Sequence, residues 1–69
     1  MTASIIVNGQ PEPLAAATVM ELVRAKGVDP AKPGAAVAVN GQVVPRARWA
    51  ETPLASADRV EIVRPYAGG

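Results

Sequence analysis

Residues 18–27, Thr-Val-Met-Glu-Leu-Val-Arg-Ala-Lys-Gly, carry the strongest secondary-structure signal in the chain and decide its fold. Thr18 and Glu21 have the spacing of a capping box, in which two side chains satisfy backbone N–H groups at a helix start. Gly27 is suited to end the helix in a left-handed conformation. The pattern therefore predicts a helix over residues 18–26.

The predicted helix has one apolar face. Val19, Leu22 and Val23 fall at positions i, i+3 and i+4, with Met20 at the edge of the stripe. No second helix is predicted that would share the task of covering a sheet. We therefore expect this face to belong to the core and not to a docking surface.

Two hairpins are predicted, one on each side of the helix. Residues 4–7 are mostly β-branched and end at an Asn-Gly pair, a dipeptide that favours a two-residue hairpin turn. The return strand, residues 10–14, contains two prolines, so it is expected at a sheet edge. Residues 35–39 and 42–44 flank a second Asn-Gly pair, and residues 35–39 are expected near the sheet centre under the helix.

The last predicted strand, residues 60–64, places Val60 and Ile62 on one face. Between it and the second hairpin, residues 46–54 are expected to be irregular, with Trp49 as a core or loop anchor. Pairing the first and last strands in parallel gives a mixed sheet of four to five strands with one main helix across one face.

This α+β order of elements is that of the ubiquitin-like β-grasp fold. We expect a single domain over residues 1–64, followed by a flexible tail over residues 65–69. Sixty-nine residues leave room for only one small core.

Composition excludes several functions. Seven Lys and Arg against six Asp and Glu give a net charge of +1, too weak to favour nucleic acid or an anionic membrane. The chain has no Cys and no His, so the common thiol, imidazole and zinc chemistry is missing. No signal peptide or membrane-spanning run is recognised, and a cytoplasmic location is expected.

The sequence ends Arg-Pro-Tyr-Ala-Gly-Gly over residues 64–69. A pair of glycines cannot be there to hold a shape, because glycine is the most permissive residue. It offers instead a thin thread with a carboxylate at its tip, able to enter a channel too narrow for side chains. The alternative is an ordinary frayed terminus.

The stretch Asn-Gly-Gln-Val-Val-Pro-Arg at 40–46, Trp49 downstream, and the final Ala67-Gly68-Gly69 together resemble the ThiS family. This family comprises the small sulfur carriers of bacterial thiamine biosynthesis. The resemblance covers essentially the whole chain. Pro65-Tyr66 departs from it, as a stiffer approach to the tail than the family leads us to expect.

The resemblance implies a mechanism that partners catalyse. A ThiF-like enzyme uses ATP with magnesium to adenylate the Gly69 carboxylate. Sulfur from a cysteine desulfurase pathway then displaces AMP, leaving a thiocarboxylate (1-thioglycine at Gly69), which a ThiG-like thiazole synthase consumes. Gly68, Ala67 and Tyr66 would be recognised as partners hold the tail. The chain itself is expected to be a carrier and not an enzyme, with no catalytic side chain, bound cofactor or metal.

Two alternatives stay open. The same Gly-Gly terminus occurs in the small subunit of molybdopterin synthase and in ubiquitin-like protein modifiers. A small binding or regulatory module with an incidental Gly-Gly end would be a different class altogether. At Arg46, pairing with a partner carboxylate and ordinary solvation are equally compatible with the sequence.

Overall fold

The computed structural model of the chain describes residues 3–64. Five strands form one sheet in the order β2-β1-β5-β3-β4. In chain order the elements are β1 (Ser4–Val7), β2 (Gln10–Pro13), α1 (Val19–Ala25), β3 (Ala36–Val39), β4 (Gln42–Val44), a 3-10 helix (Arg46–Glu51) and β5 (Arg59–Val63). This arrangement confirms the predicted α+β class, with a mixed sheet and one α-helix.

The helix begins and ends where its sequence signals predict. The Thr18 hydroxyl accepts a hydrogen bond from the Glu21 N–H at 3.3 Å, and Gly27 adopts the left-handed conformation with φ +81°. The Glu21 carboxylate, however, accepts from the N–H of Ala17 and not from that of Thr18. Backbone bonds from residues 17 and 19 to the 52–54 segment fix how the chain enters the helix. The path of the chain into the helix therefore places the Ala17 N–H within reach of the Glu21 carboxylate.

Both predicted hairpins are present and have the same turn. Asn8 and Gly9 have φ values of 51° and 82°, and Asn40 and Gly41 have 52° and 84°. Positive φ at both central residues is the signature of a type I′ turn, whose twist matches that of the flanking strands. The Asn-Gly pairs therefore set the register of β1 with β2 and of β3 with β4.

The sheet is built around β5. This strand pairs in parallel with β1, with Val7 opposite Val60, and antiparallel with β3, with Val37 opposite Ile62. The predicted parallel pairing of the first and last strands is confirmed, and β3 lies inside the sheet as expected. Strand β2, which contains Pro11, lies at an edge, where a missing N–H costs no ladder bond.

The strand ends differ from the predictions by one residue at several places. The last strand begins at Arg59 and ends at Val63, and the turn before it centres on Ala57, which has a φ of 73°. The predicted alternation holds, because Val60 and Ile62 are buried while their neighbours are exposed. Boundary shifts of this size do not change which side chains face the core.

The core lies between the sheet and the helices. It combines one face of β1, β3 and β5 with the apolar stripe of α1 and with residues from the connecting segments. The buried side chains are Ile5, Val7, Val19, Leu22, Val23, Val28, Val37, Trp49, Leu54, Val60 and Ile62. The helix stripe and Trp49, which is 1% exposed, are thus core residues as predicted.

The expectation that residues 46–54 are irregular is wrong for Arg46–Glu51, which forms the 3-10 helix and packs against α1. Pro45 precedes it with φ −59°, and its carbonyl accepts from the N–H of Arg48 at 2.8 Å. Trp49 Nε1 donates to the carbonyl of Val44 at 2.9 Å while its ring is buried. The tight turns of the 3-10 helix let the indole enter the core while its N–H reaches a carbonyl earlier in the chain. This second helix therefore helps α1 to cover the sheet.

Candidate functional site

The predicted reacting group is at Gly69, and Gly68, Ala67 and Tyr66 are the predicted recognition residues. All four lie outside the described residues, and so does the predicted tail over 65–69. The structure does describe the point from which that tail starts. We call this point, formed by Ile62, Val63 and Arg64, the tail root.

The backbone of the tail root is held by Asn8. Strand β1 ends at Val7, and the last parallel rung is the Asn8 N–H donating to the carbonyl of Val60 at 2.9 Å. Beyond it, Asn8 Oδ1 accepts from the Ile62 N–H at 2.8 Å and Asn8 Nδ2 donates to the Ile62 carbonyl at 3.2 Å. One side-chain amide thus supplies both bonds that a longer β1 would have given to Ile62.

The side chain of the last described residue is also held. Arg64 Nη2 donates to the carbonyl of Lys26 at 2.6 Å, at the C-terminal end of α1. A cation is favourable there, because the last carbonyls of a helix lack intrahelical partners and carry the negative end of its dipole. Arg64 therefore connects the tail root to the helix.

The acceptor of this bond is itself well fixed. The Lys26 N–H bonds to the carbonyl of Leu22 at 3.0 Å and closes the helix. Lys26 Nζ forms an ion pair with Glu12 Oε2 at 2.6 Å, which joins the helix end to strand β2. Both side chains are about one-third exposed or less, so this pair is more sheltered than an ordinary surface pair. The tail root is thereby linked to α1 and β2 as well as to β1.

The opposite end of β5 has a matching device. Asn40 Oδ1 accepts from the Arg59 N–H at 2.9 Å, and Asn40 Nδ2 donates to Asp58 Oδ1 at 3.0 Å. The two hairpin asparagines therefore hold β5 near its start and near its end. Nothing in the local sequence of either hairpin indicates this second role, because the partners are distant along the chain.

Arg46 is not the ordinary solvated charge that was one of the two roles considered from the sequence. Its guanidinium carbon lies 4.9 Å from the centre of the Trp49 ring, and Arg46 Nη1 donates to the carbonyl of Pro30. It therefore closes the loop after α1 against the 3-10 helix, partly buried. The spacing of three residues between Arg46 and Trp49 was the available signal, since residues three apart in a tight helix share a face.

The sheet face away from the helices carries the most exposed large apolar side chains. Val43 is 75% exposed and Val63 is 60% exposed. Arg59 and Glu61 are also exposed on β5, in alternation with its buried residues. Val63 directly precedes Arg64, so this open face continues to the tail root.

Residues 3–64 contain no group of three or more acidic, His or Cys side chains that could hold a metal ion. In the same part of the chain, no helix is long and apolar enough to cross a membrane. The buried side chains there are all apolar, and every buried side-chain polar atom has a hydrogen-bond partner. The described domain is thus an apolar core with polar side-chain contacts at both ends of its central strand.

Comparison with known proteins gives a consistent picture. Residues 5–69 match the model of the ThiS family, and this matched range includes the final two glycines. A similar solved structure is the crystal structure of the thiamine biosynthesis protein ThiS from Geobacter metallireducens, at 30% identity and a TM-score of 0.75. The match covers 96% of this chain and 99% of that chain, and it confirms the predicted ubiquitin-like β-grasp fold. No curated protein gives a significant match. From the family match and the whole-chain structural likeness together, the chain belongs to the ThiS family.

Proposed function

We propose that this protein is a sulfur carrier in thiamine biosynthesis and that the Gly69 carboxylate carries the sulfur. The family match carries the proposal, because it runs from residue 5 to the final glycine, where we propose that the reaction takes place. The similar structure from Geobacter metallireducens is that of a thiamine biosynthesis protein, and the match covers nearly the full length of both chains. The chain is then a co-substrate of partner enzymes and not an enzyme.

The proposed chemistry begins with activation, because a carboxylate is a poor electrophile. A carboxylate oxygen of Gly69 attacks the α-phosphorus of ATP, and pyrophosphate leaves. The adenylating enzyme is ThiF-like and supplies the magnesium with the ATP. Gly69 is then joined to AMP as a mixed anhydride, whose carbonyl carbon accepts nucleophiles.

Sulfur is added in the second step. The terminal sulfur of a persulfide, produced by a cysteine desulfurase pathway, attacks the Gly69 carbonyl carbon, and AMP leaves with the bonding electrons. A thiol then cleaves the S–S bond, is oxidised to a disulfide, and releases the thiocarboxylate. A ThiG-like thiazole synthase takes up this sulfur. All of these partners are proposed to act with the carrier in the cytoplasm.

The length of the tail constrains where the partners bind. Five residues follow Arg64, and a fully extended chain spans about 3.5 Å per residue, or roughly 18 Å in all. The adenylating site must therefore lie within about that distance of the tail root. An enzyme so close to the root also comes close to Val63, the exposed apolar side chain of β5 beside it.

The direct test is the mass of the C-terminus. The protein is incubated with magnesium and ATP, a persulfide donor and a ThiF-type enzyme from the same organism, and its intact mass is measured. We expect a fraction whose mass reflects the replacement of one oxygen by sulfur at Gly69. A variant lacking Gly69 serves as the control and should show none. If the wild-type protein forms neither the adenylate nor the thiocarboxylate, the proposal is contradicted.

The pathway is tested separately in cells. Deleting the gene should cause a requirement for thiamine that the wild-type protein relieves and the variant lacking Gly69 does not. Loss of molybdoenzyme activity instead would assign the carrier to molybdopterin synthesis. A ladder of larger conjugates would assign it to protein modification.

A further inference from the structure

We infer that Arg64 is a positioning residue, which ties the tail root to the end of α1 and so fixes the direction in which the tail leaves the domain. The inference rests on the proposed function for its catalytic consequence. Its structural part concerns the free protein and stands on the contacts of Arg64 alone.

Two contacts hold the tail root at successive points. Asn8 binds the backbone of Ile62 through both its N–H and its carbonyl, at 2.8 Å and 3.2 Å. Two residues later, the Arg64 side chain binds the carbonyl of Lys26 at 2.6 Å. One contact fixes the backbone and the next fixes a side chain, so both the position and the heading of the root are defined.

Arginine is suited to this role at a helix end. Its guanidinium stays charged at all accessible pH values and offers several donors in a rigid plane. The carbonyl that it reaches lies where α1 carries partial negative charge. Charge-assisted hydrogen bonds of this kind are shorter and stronger than neutral ones.

The contact serves little purpose in stabilising the fold. Arg64 is exposed and follows the last core residue of β5, Ile62, by two positions. Arg64 is not one of the buried side chains that form the core. Its removal should therefore leave the thermal melt nearly unchanged while it frees the tail root.

A fixed heading matters because a partner binds only tails that point toward its site. If only a fraction of carrier molecules has a competent heading, the apparent affinity falls by that fraction. Loss of the Arg64 contact should raise the KM of the adenylating enzyme for the carrier. It should leave kcat almost unchanged, because the bound tail is the same.

The structural test uses the free protein. Backbone ¹⁵N relaxation and the ¹³C shift of the Lys26 carbonyl are compared among the wild type, Arg64→Ala and Arg24→Ala. Arg24 is an exposed arginine in the last turn of α1, the helix whose end Arg64 contacts, which makes it a matched control. We expect a lower heteronuclear NOE at the Arg64 position and a shifted Lys26 carbonyl in Arg64→Ala only. Identical values in all three proteins would overturn the inference.

The kinetic test measures pyrophosphate release by the ThiF-type enzyme at saturating ATP and varied carrier. We expect Arg64→Ala to raise KM by about 3- to 10-fold with kcat within about twofold. Arg64→Lys, which keeps a cationic donor, should recover part of the loss, and Arg24→Ala should match the wild type. An unchanged KM in Arg64→Ala would overturn the positioning role.

The two tests together separate the possible failures. A raised KM with unchanged relaxation would mean that the enzyme contacts Arg64 directly, which contradicts the inference. Absence of adenylation in the wild-type protein would refute the proposed function instead. In that case the relaxation comparison alone decides whether Arg64 holds the tail root.

Discussion

The helix-covered side of the sheet and the tail root are held by different interactions, apolar packing in the first and hydrogen bonds in the second. The core on the covered side is apolar: its buried side chains are aliphatic apart from Trp49, and none of them is charged. The tail root is held by hydrogen bonds from Asn8 and Arg64, close to solvent. The first region resists unfolding, whereas the second fixes where a short segment begins. Changes in the core should therefore act mainly on stability and changes at the C-terminus mainly on sulfur transfer, whereas Asn8, which binds the backbone of the buried Ile62, should also affect stability.

The largest expected effect is on transfer alone. Adding one alanine after Gly69 should abolish adenylation, because the carboxylate is displaced by about 3.5 Å from the position that the enzyme holds. The thermal melt should not change, since no buried residue is touched. Pyrophosphate release and a melt followed by circular dichroism measure the two effects. One alanine added before Met1 is the control, and activity in the extended tail variant would count heavily against the mechanism.

The largest effect on stability should come from the indole of the core. Trp49→Ala removes a side chain that is 1% exposed and should cost about 3–5 kcal/mol in free energy of unfolding. Trp49→Phe should cost less than Trp49→Ala, because it retains much of the apolar contact. It should still cost something, because the Val44 carbonyl loses its donor. Urea unfolding followed by circular dichroism gives both values. Equal midpoints for the alanine variant and the wild type would refute the placement of this ring in the core.

A somewhat smaller loss of stability is expected in the helix stripe. Leu22→Ala should cost about 2–5 kcal/mol through the cavity that it leaves under α1. Molecules that remain folded should still be adenylated, because the tail root is untouched. Arg24→Ala on the exposed side of the same helix is the control for helix propensity. A melt unchanged by Leu22→Ala would contradict the packing of the stripe.

Replacing either hairpin asparagine should lower stability by less than the core substitutions do, and the loss should be larger at Asn8 than at Asn40. Glycine accepts the positive φ of both sites, so Asn8→Gly and Asn40→Gly remove the side-chain bonds without backbone strain. Asn8→Gly leaves both backbone groups of the buried Ile62 without these part-buried bonds and should cost about 1–3 kcal/mol. Asn40→Gly affects exposed groups and should cost about 1 kcal/mol or less. Denaturant midpoints of the two variants give the comparison, and equal losses would contradict the special role of Asn8.

The elements that were predictable depend on residues close together in sequence. The Thr18–Glu21 spacing, Gly27 and the two Asn-Gly pairs each act within a few residues, and the structure bears out the helix and both hairpins. The parallel pairing of β1 with β5 followed from their apolar β-branched composition. These signals were enough to give the fold class.

The parts that were missed depend on contacts between distant residues or on short-range geometry that tertiary packing selects. Asn8 meets Ile62 across 54 positions and Arg64 meets Lys26 across 38. No local pattern indicates either contact. The 3-10 helix follows a proline in a short segment of weak periodicity, and the buried Trp49 decides its geometry. At the candidate site, the role of Gly69 was inferred from family resemblance and stays a proposal.

Trp49 is the single tryptophan of the chain and Tyr66 the single tyrosine. The indole is enclosed in the core, bonded to Val44 and stacked beneath Arg46, while the phenol belongs to the segment that partners are proposed to hold. The protein thus carries two native fluorophores with different assignments. Indole emission should follow unfolding and be insensitive to adenylation, whereas phenol emission should respond when an enzyme captures the C-terminus. Unfolding of the free protein can therefore be followed by indole emission without a label.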